Sequence, residues 1–347
     1  MNDVLLETVD LVKHFPLTQA LADTVARREK EVIHAVDGVS LQVGVGETLG
    51  LIGESGSGKT TLGWLAARLH EPTSGTLRFN GSDITHLRGR ELRAWRRHVQ
   101  VVFQDPVGSL DPRLHVWQIV GEPLGVQETL DRTELRARVA EVLPSVGLLP
   151  SVLDQYPHEF SGGGRQRISL ARALILEPKL IILDEPTSAL DVAVQAQILN
   201  RLVELQRDRG FAYLLITHNV AAVRYVADRV AVMYLGKLAE VGPVKDLLEH
   251  PIHPYTKALL AALPVPEPRR RAARYRIGGE VPTLVHPPPG CRFADRCPFV
   301  IDRCRTEEPL LRIPSGSRDR WVACHRAEEV ADVPPDDLLA GAATLPV

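Results

Sequence analysis

A mixed α/β fold around a buried parallel sheet is predicted by three observations on this 347-residue sequence. Short apolar runs recur without polar alternation, each run passes directly into polar or glycine-rich residues, and helical patterns lie between them. The runs are Thr48-Leu49-Gly50-Leu51-Ile52, Val99-Gln100-Val101-Val102-Phe103, Leu180-Ile181-Ile182-Leu183 and Tyr213-Leu214-Leu215-Ile216. Runs this short and this apolar suit strands covered on both faces, as in parallel sheets. They are followed by Gly53, Gln104, Asp184-Glu185 and Thr217-His218. Ligands of open α/β sheets sit at the carboxyl ends of the strands. One site assembled from four distant stretches is therefore expected.

Around this core, residues 4–14 and 33–43 read as short strands of mixed polarity, with a polar helical or loop-like stretch at 16–31 between them. Helical patterns within 107–175, among them Asp131 to Leu143 and Arg165 to Leu176, interrupt the sheet-forming runs and suggest a helical subdomain. After about residue 255 the composition shifts. Pro264, Pro266, Pro268, Pro282 and Pro287-Pro288-Pro289 mark a separate, loop-rich module. No internal repeat or low-complexity tract is present.

Composition sets limits on function. Apolar residues make up 44% and charged residues 24%, and the formal net charge is −2, so nothing global steers the chain toward nucleic acid or an anionic membrane. The start, Met1-Asn2-Asp3-Val4, reads as no secretory signal. No stretch reaches the roughly 18 apolar residues of a spanning helix. Any membrane role is expected to be peripheral. All four cysteines fall between residues 291 and 324, and without a signal they read as thiols or metal ligands rather than disulfides. The basic segment from Arg269-Arg270-Arg271 to Arg276 reads first as a charged linker, because no aromatic residues interleave it as in a nucleic-acid groove.

The sharpest chemical signal is Gly53-Glu54-Ser55-Gly56-Ser57-Gly58-Lys59-Thr60, which fits G-x-x-x-x-G-K-[ST] between a predicted strand and a helical stretch at 61–69. Gly53, Ser55, Gly56 and Gly58 let backbone N–H groups wrap phosphates. Lys59 brings a mobile positive charge, Thr60 a hydroxyl for Mg²⁺, and Thr61 continues the helix whose positive end faces the anion. The second piece is the strand end Asp184-Glu185. A carboxylate there suits Mg²⁺, and Glu185 is placed to orient or deprotonate a water. Alone, two acids after an apolar run would equally mark an exposed turn; beside a phosphate loop they become informative.

Phe160-Ser161-Gly162-Gly163-Gly164-Arg165-Gln166-Arg167, upstream of the acidic strand, resembles the signature of ATP-binding cassette (ABC) ATPases, usually LSGGQ, and the order of elements over 1–250 is similar to that family. The resemblance implies a P-loop NTPase core with an antiparallel β subdomain, a helical signature subdomain and a small cysteine-containing C-terminal extension. In boundaries, it implies an ATPase domain over 1–254, with helices over about 107–175, and an extension over 255–347. It implies that Ser161, Gly162 and Gly163 complete the ATP site of an opposing cassette. It further implies that Gln104 is the Q-loop glutamine at Mg²⁺ or the water, that Asp191 in Ser188-Ala189-Leu190-Asp191 belongs to the interface-crossing D-loop, and that His218 is the switch histidine at the γ-phosphate. Phe15 would stack on adenine, with a core phenylalanine as the alternative reading. Gly164 departs from the usual glutamine, which puts symmetric turnover by two sites in doubt.

Three features resemble the ATPases of oligopeptide and dipeptide importers, a family that includes nickel importers. They are Phe103-Gln104-Asp105-Pro106 with Ser109-Leu110-Asp111-Pro112-Arg113, then His253-Pro254-Tyr255-Thr256-Lys257-Ala258-Leu259-Leu260, and the cysteine-bearing tail. The family implies two membrane permease subunits, a second ATPase (a paralogue, given Gly164) and an extracytoplasmic substrate-binding protein, with this chain peripheral on the cytoplasmic face. Residues after Gln104 would form part of the groove for a coupling helix. A soluble ABC protein acting on nucleic acid is the rival class, disfavoured by the charge and the sequence after Gln104. An exporter ATPase is a third reading.

The tail spacing is Cys291-x₅-Cys297-x₆-Cys304-x₁₉-Cys324. Tight C-x₂₋₄-C pairs typical of zinc modules are absent. Zinc, a [4Fe–4S] cluster or free thiols remain open on spacing; the resemblance points to the cluster. His286 and His325 lie nearby in sequence and read as solvated or structural residues.

Overall fold

The computed structural model describes residues 3–17, 31–105, 108–188, 190–262, 283–334 and 338. Most of the 16–31 insert, Pro106, Ala189, the prolines from 264 to 282 and the arginine-rich stretch at 269–276 lie outside those residues.

The first two strands, β1 (Val4–Pro16) and β2 (Val32–Gly44), pair antiparallel and run longer than the short segments the pattern predicts. Their mixed polarity has a physical cause: one face packs on the core and the other meets solvent. With β4 (Ser74–Phe79) and β5 (Ser82–Asp83) they make a sheet of order β2-β1-β4-β5.

The second sheet contains β3 (Thr48–Ile52), β6 (Val99–Val102), β7 (Leu180–Asp184), β8 (Ala212–Ile216), β9 (Arg229–Tyr234), β10 (Lys237–Pro243) and β11 (Trp321–Val322), in the order β11-β10-β9-β3-β8-β7-β6. Strands β6 to β9 and β3 run parallel, and β10 and β11 close the sheet antiparallel. The four predicted runs become β3, β8, β7 and β6, which are consecutive neighbours. Their carboxyl ends therefore open at one place.

Side chains alternate between two cores along each buried strand. Leu180 and Ile182 of β7 join Leu62 and Leu65 of the helix Lys59–Ala66 and Leu6, Val36 and Leu77 of the antiparallel sheet. Ile181 and Leu183 face the opposite core, with Ile119, Ile168 and Leu202 from the helices Val116–Gln127, Gly162–Leu174 and Val192–Arg209. This two-residue period is what a strand imposes. Each such buried Leu or Ile contributes roughly 1.5–3 kcal/mol. The helices Val116–Gln127, Arg132–Val142 and Gly162–Leu174 all fall within the stretch read as helical.

The C-terminal region is tied to this body by buried polar groups. Glu240 of β10, fully buried, accepts from the N–H groups of Ile252 and His253 at 3.0 and 2.9 Å and pairs with Arg320. Lys257 in the helix Pro254–Ala261 is also fully buried. It donates to the carbonyls of Val330 at 2.6 Å, Ala331 at 3.0 Å and Val333. Burial pulls its ammonium down to about 8, so it stays protonated at neutral pH. Lys257→Met should leave those carbonyls without their donor, cost roughly 2–3 kcal/mol and free the tail for proteolysis. An unchanged urea midpoint together with unchanged tryptic cleavage would assign the tail's order to its apolar contacts instead.

Candidate nucleotide site

The phosphate loop follows β3 and ends in the helix Lys59–Ala66, whose N-cap is Gly58. Two of its glycines are obligatory on geometric grounds. Gly53 has φ 154° and Gly58 φ 102°, and a Cβ on either would lie 2.1 Å from the Met233 carbonyl oxygen or 2.0 Å from that of Ala35. Ser55 and Gly56 form the exposed crest, and Thr61 lies half-buried in the first helical turn. Lys59 folds back under the loop. Its ammonium donates to the carbonyls of Gly53 at 2.9 Å and Glu54 at 2.8 Å and approaches Ser57 Oγ at 3.4 Å. Burial depresses its pKa, while the charges of Glu185, Asp184 and Glu54 hold it up.

The acidic end of β7 lies beside the loop. Thr60 Oγ1 donates to Asp184 Oδ1 at 3.2 Å, and burial raises the pKa of Asp184 while that hydrogen bond and Lys59 oppose the rise. Glu185 takes φ 47°, an uncommon conformation for a non-glycine residue, and its N–H donates to the Ile216 carbonyl at 2.8 Å. That anchor to β8 fixes the turn and directs the carboxylate to two partners. Gln104 Nε2, on the loop after β6, donates to Glu185 Oε2 at 3.3 Å, and His218 Nδ1, after β8, lies 3.0 Å from Glu185 Oε1. Gln104, Glu185 and His218 thus meet at one carboxylate, with Asp184 at the preceding end of β7 and Thr60 in the first turn of the helix Lys59–Ala66. The His218 ring is largely exposed, whereas Glu185 is not.

The signature segment opens a separate helix. Ser161 caps the helix Gly162–Leu174 by accepting from the Gly164 N–H at 3.3 Å. Gly163 packs so closely that a Cβ would lie 2.5 Å from Val194, and Gly162 sits against Leu190. A Cβ at Gly164 would lie 3.0 Å from the Phe160 side chain, a tight approach that Phe160 would have to relieve. Asp191 caps the helix Val192–Arg209 through the Val194 N–H at 2.9 Å. Phe15 is half-buried on β1, with the Lys13 ammonium 5.0 Å from its ring centroid and His70 edge-on at 5.5 Å. It stands outside the buried core.

The four cysteines, far apart in sequence, line one small enclosed pocket together with Phe293 and Phe299. Burial pushes Cys291 up to about 11 and Cys324 up to about 12, and Cys297 well above its usual range. Backbone N–H groups of Phe293 and Ala294 serve Cys291, that of Phe299 serves Cys297, and that of Arg326 serves Cys324. His325 also lines the pocket but is engaged with the Glu307 carbonyl at 2.9 Å, and His286 pairs with Glu31 on the surface.

Sequence reading expected a groove after Gln104 but missed the part of Arg172 in it, and it missed a tie to the phosphate loop. A groove of about 730 Å³ runs from Thr60 and Gln104 to Glu122 and Arg172, and Arg172 on the signature helix donates to the Ser109 carbonyl at 2.7 Å. In addition, Tyr255 and Arg296 reach the phosphate loop at Glu54. A tyrosine one residue into a helix and an arginine beside a cysteine were the only local signals.

A phosphate loop, an acidic strand end and a signature helix on one doubly covered sheet define an ATP hydrolase of the ABC class. A model of the ABC transporter family matches residues 36–188, and a model described as the oligopeptide/dipeptide transporter C-terminal region matches 239–304. The chain is 49% identical over 326 residues to the probable peptide ABC transporter ATP-binding protein y4tS of Sinorhizobium fredii, covering 94% of this chain and 90% of that protein. It is 46% identical to the di/tripeptide transport ATP-binding protein DppF of Pseudomonas aeruginosa, covering 94% and 99% respectively. Among solved structures, the ATP-binding cassette MJ0796, dimeric in a post-hydrolysis state with ADP and Pi, matches with TM-score 0.61 and 27% identity over 69% of this chain and 99% of that one. The chain belongs to the ABC transporter family as an ATP-binding, ATP-hydrolysing subunit. Among the described residues, no helix is long and apolar enough to cross a membrane.

Proposed function

We propose that this chain energises the import of di- and oligopeptides from the cytoplasmic face of the membrane, with an ATPase domain over 1–254 and an extension over 255–347. The observation that carries the hydrolytic part is the convergence of Gln104 and His218 on Glu185 beside the Thr60–Asp184 pair. Lys59 and the loop amides of Gly53 to Gly58 hold the phosphates. Thr60, Asp184 and Gln104 are the residues that would hold Mg²⁺, which neutralises charge on the phosphate oxygens when bound. Glu185 takes the proton of the attacking water, and His218 stabilises the transferred charge. Phe15 and its neighbours flank adenine. Ser161, Gly162 and Gly163 complete the site of a second cassette; the similar cassette MJ0796 is dimeric.

The peptide reading rests on the names and near-complete coverage of the relatives and on the match of residues 239–304. The Arg172–Ser109 groove supports docking of a permease helix, and two permease subunits, a paralogous ATPase and an extracytoplasmic binding protein complete the assembly. The test is reconstitution with those subunits in lipid vesicles. ATP-dependent accumulation of a labelled tripeptide is expected. Uptake of nickel alone would move the chain to the metal-importing branch, and salt-sensitive nucleic-acid binding without uptake would overturn import.

At the cysteine pocket we propose a cluster rather than zinc. Tetrahedral zinc at about 2.3 Å from each sulfur places sulfurs about 3.8 Å apart. Among the described residues, no three of these thiols have their sulfurs within 4.8 Å of one another. Cys291, Cys297, Cys304 and Cys324 would hold a [4Fe–4S] group, whose contribution is a covalent tie among loops otherwise short of regular structure. Protein purified without oxygen is expected to contain iron and sulfide at about four each per chain. Zinc in their place, or no metal, would refute the cluster.

A further inference from the structure

Glu54, the second residue of the phosphate loop, is gripped from the C-terminal region at both its backbone and its side chain. Its N–H donates to the Tyr255 hydroxyl at 2.8 Å. Its carboxylate accepts from both terminal nitrogens of Arg296, at 2.9 and 3.2 Å. Arg296 is almost wholly buried and also donates to the Tyr234 hydroxyl at 3.0 Å, with its guanidinium 5.7 Å from that ring's centroid. The rings of Tyr234, Tyr255 and Phe293 pack on one another with centroids 4.5–5.5 Å apart, so neither donor nor acceptor has freedom to swing. A two-pronged arginine–carboxylate pair fixes direction as well as distance.

The consequence for the nucleotide site is direct. The Gly53 carbonyl, in the same planar peptide unit as the Glu54 N–H, is one of the oxygens that hold the Lys59 ammonium, at 2.9 Å. Rotating the Gly53–Glu54 peptide therefore moves the lysine that meets the phosphates, and it turns the adjoining amides that wrap them. With the Glu54 N–H committed to Tyr255, the peptide has one orientation, and Arg296 locks the side chain on the same side.

We propose that Tyr255 and Arg296 are positioning residues for ATP: they set the phosphate loop's conformation from outside the cassette core and thereby its affinity for nucleotide. The proposal rests on the ATPase reading above and extends it. Arg296 directly precedes Cys297, and Cys297 and Phe293 line the cysteine pocket. Order in the cysteine module is thus transmitted to the phosphate loop through Arg296 and through Phe293 and Tyr255, and ATP binding stiffens the module in return, as linkage requires.

The test is titration of the purified full chain with a fluorescent ATP analogue, alongside ATPase kinetics. Tyr255→Phe keeps the ring and its packing and removes only the hydroxyl, and Arg296→Lys keeps the charge and removes the fork. Each is expected to raise the dissociation constant for ATP, Arg296→Lys by about tenfold, the loss of one well-fixed charged hydrogen bond. Both should raise KM for ATP in the same proportion with little change in kcat. A merely structural staple would instead lower thermal stability and leave ATP affinity of the folded fraction unchanged; that result for both variants overturns the proposal. A wild-type chain that bound no ATP would sink the ATPase reading and the proposal with it.

Discussion

Glu185→Gln is expected to bind ATP as the wild type does and to hydrolyse it roughly 10²–10⁴-fold more slowly, the usual contribution of a positioned general base. The geometry favours a clean separation of binding from chemistry. An amide has the carboxylate's shape, and both of its neighbours can adapt: Gln104 still finds an oxygen acceptor, and the His218 ring can donate or accept at Nδ1. The left-handed backbone at Glu185 is held by its own N–H on the Ile216 carbonyl, independent of the side chain. Lys59, Thr60 and Asp184 keep their contacts. Equilibrium binding of an ATP analogue and phosphate release at saturating ATP measure the two halves. Near-normal phosphate release would remove Glu185 from the role of base, and joint loss of binding would make it a structural brace of the loop.

Gly58→Ala is expected to be severely damaging, since among the described glycines none would bring a Cβ nearer to another atom. The added carbon would lie 2.0 Å from the Ala35 carbonyl oxygen, at a φ of 102° that side chains rarely adopt. Something must move, and β2 is paired with β1 at His34 and Val36, on either side of Ala35. The loop yields, tilting the start of the helix and Lys59 with it. Overpacking and backbone strain each typically cost 1–3 kcal/mol, so a loss of roughly 2–5 kcal/mol in stability should accompany failure of ATP binding. Gly56→Ala is the internal control. No atom lies within 4 Å of a Cβ there, so only the strain of φ 77° applies. Thermal unfolding and nucleotide titration of the pair should separate them clearly; equal behaviour would mean that β2 relaxes to make room.

The four-stranded heart of the fold was readable because strands buried on both faces must be apolar throughout, and because chemistry collects where such strands end. Thr48–Ile52 and Leu180–Asp184 carry that pattern with nothing competing. β9 carries a similar apolar run but ends at Tyr234-Leu235-Gly236, without a polar group to mark a site. Phe15 stayed ambiguous between adenine and core, since a lone aromatic on a half-exposed strand has no periodic signal. The tie from Tyr255 and Arg296 to Glu54 spans 201 and 242 residues, and no local pattern encodes a contact of that reach. The cysteines illustrate the same limit. Their wide spacing argued against a compact motif, yet the fold draws three separate segments around one pocket.

Because neighbouring residues of β7 face different cores, that strand serves as a party wall between two rooms with different tenants. On one side, Ile182 rests against the helix that carries Lys59 and Thr60 and the sheet that carries Phe15. On the other, Ile181 rests among the helices that carry the signature and border the Arg172 groove. Ile181→Val and Ile182→Val remove the same methylene one position apart, for a similar loss of about 0.5–1.5 kcal/mol. Their effects should nonetheless diverge: the first in how firmly the permease is gripped, the second in how firmly the nucleotide is.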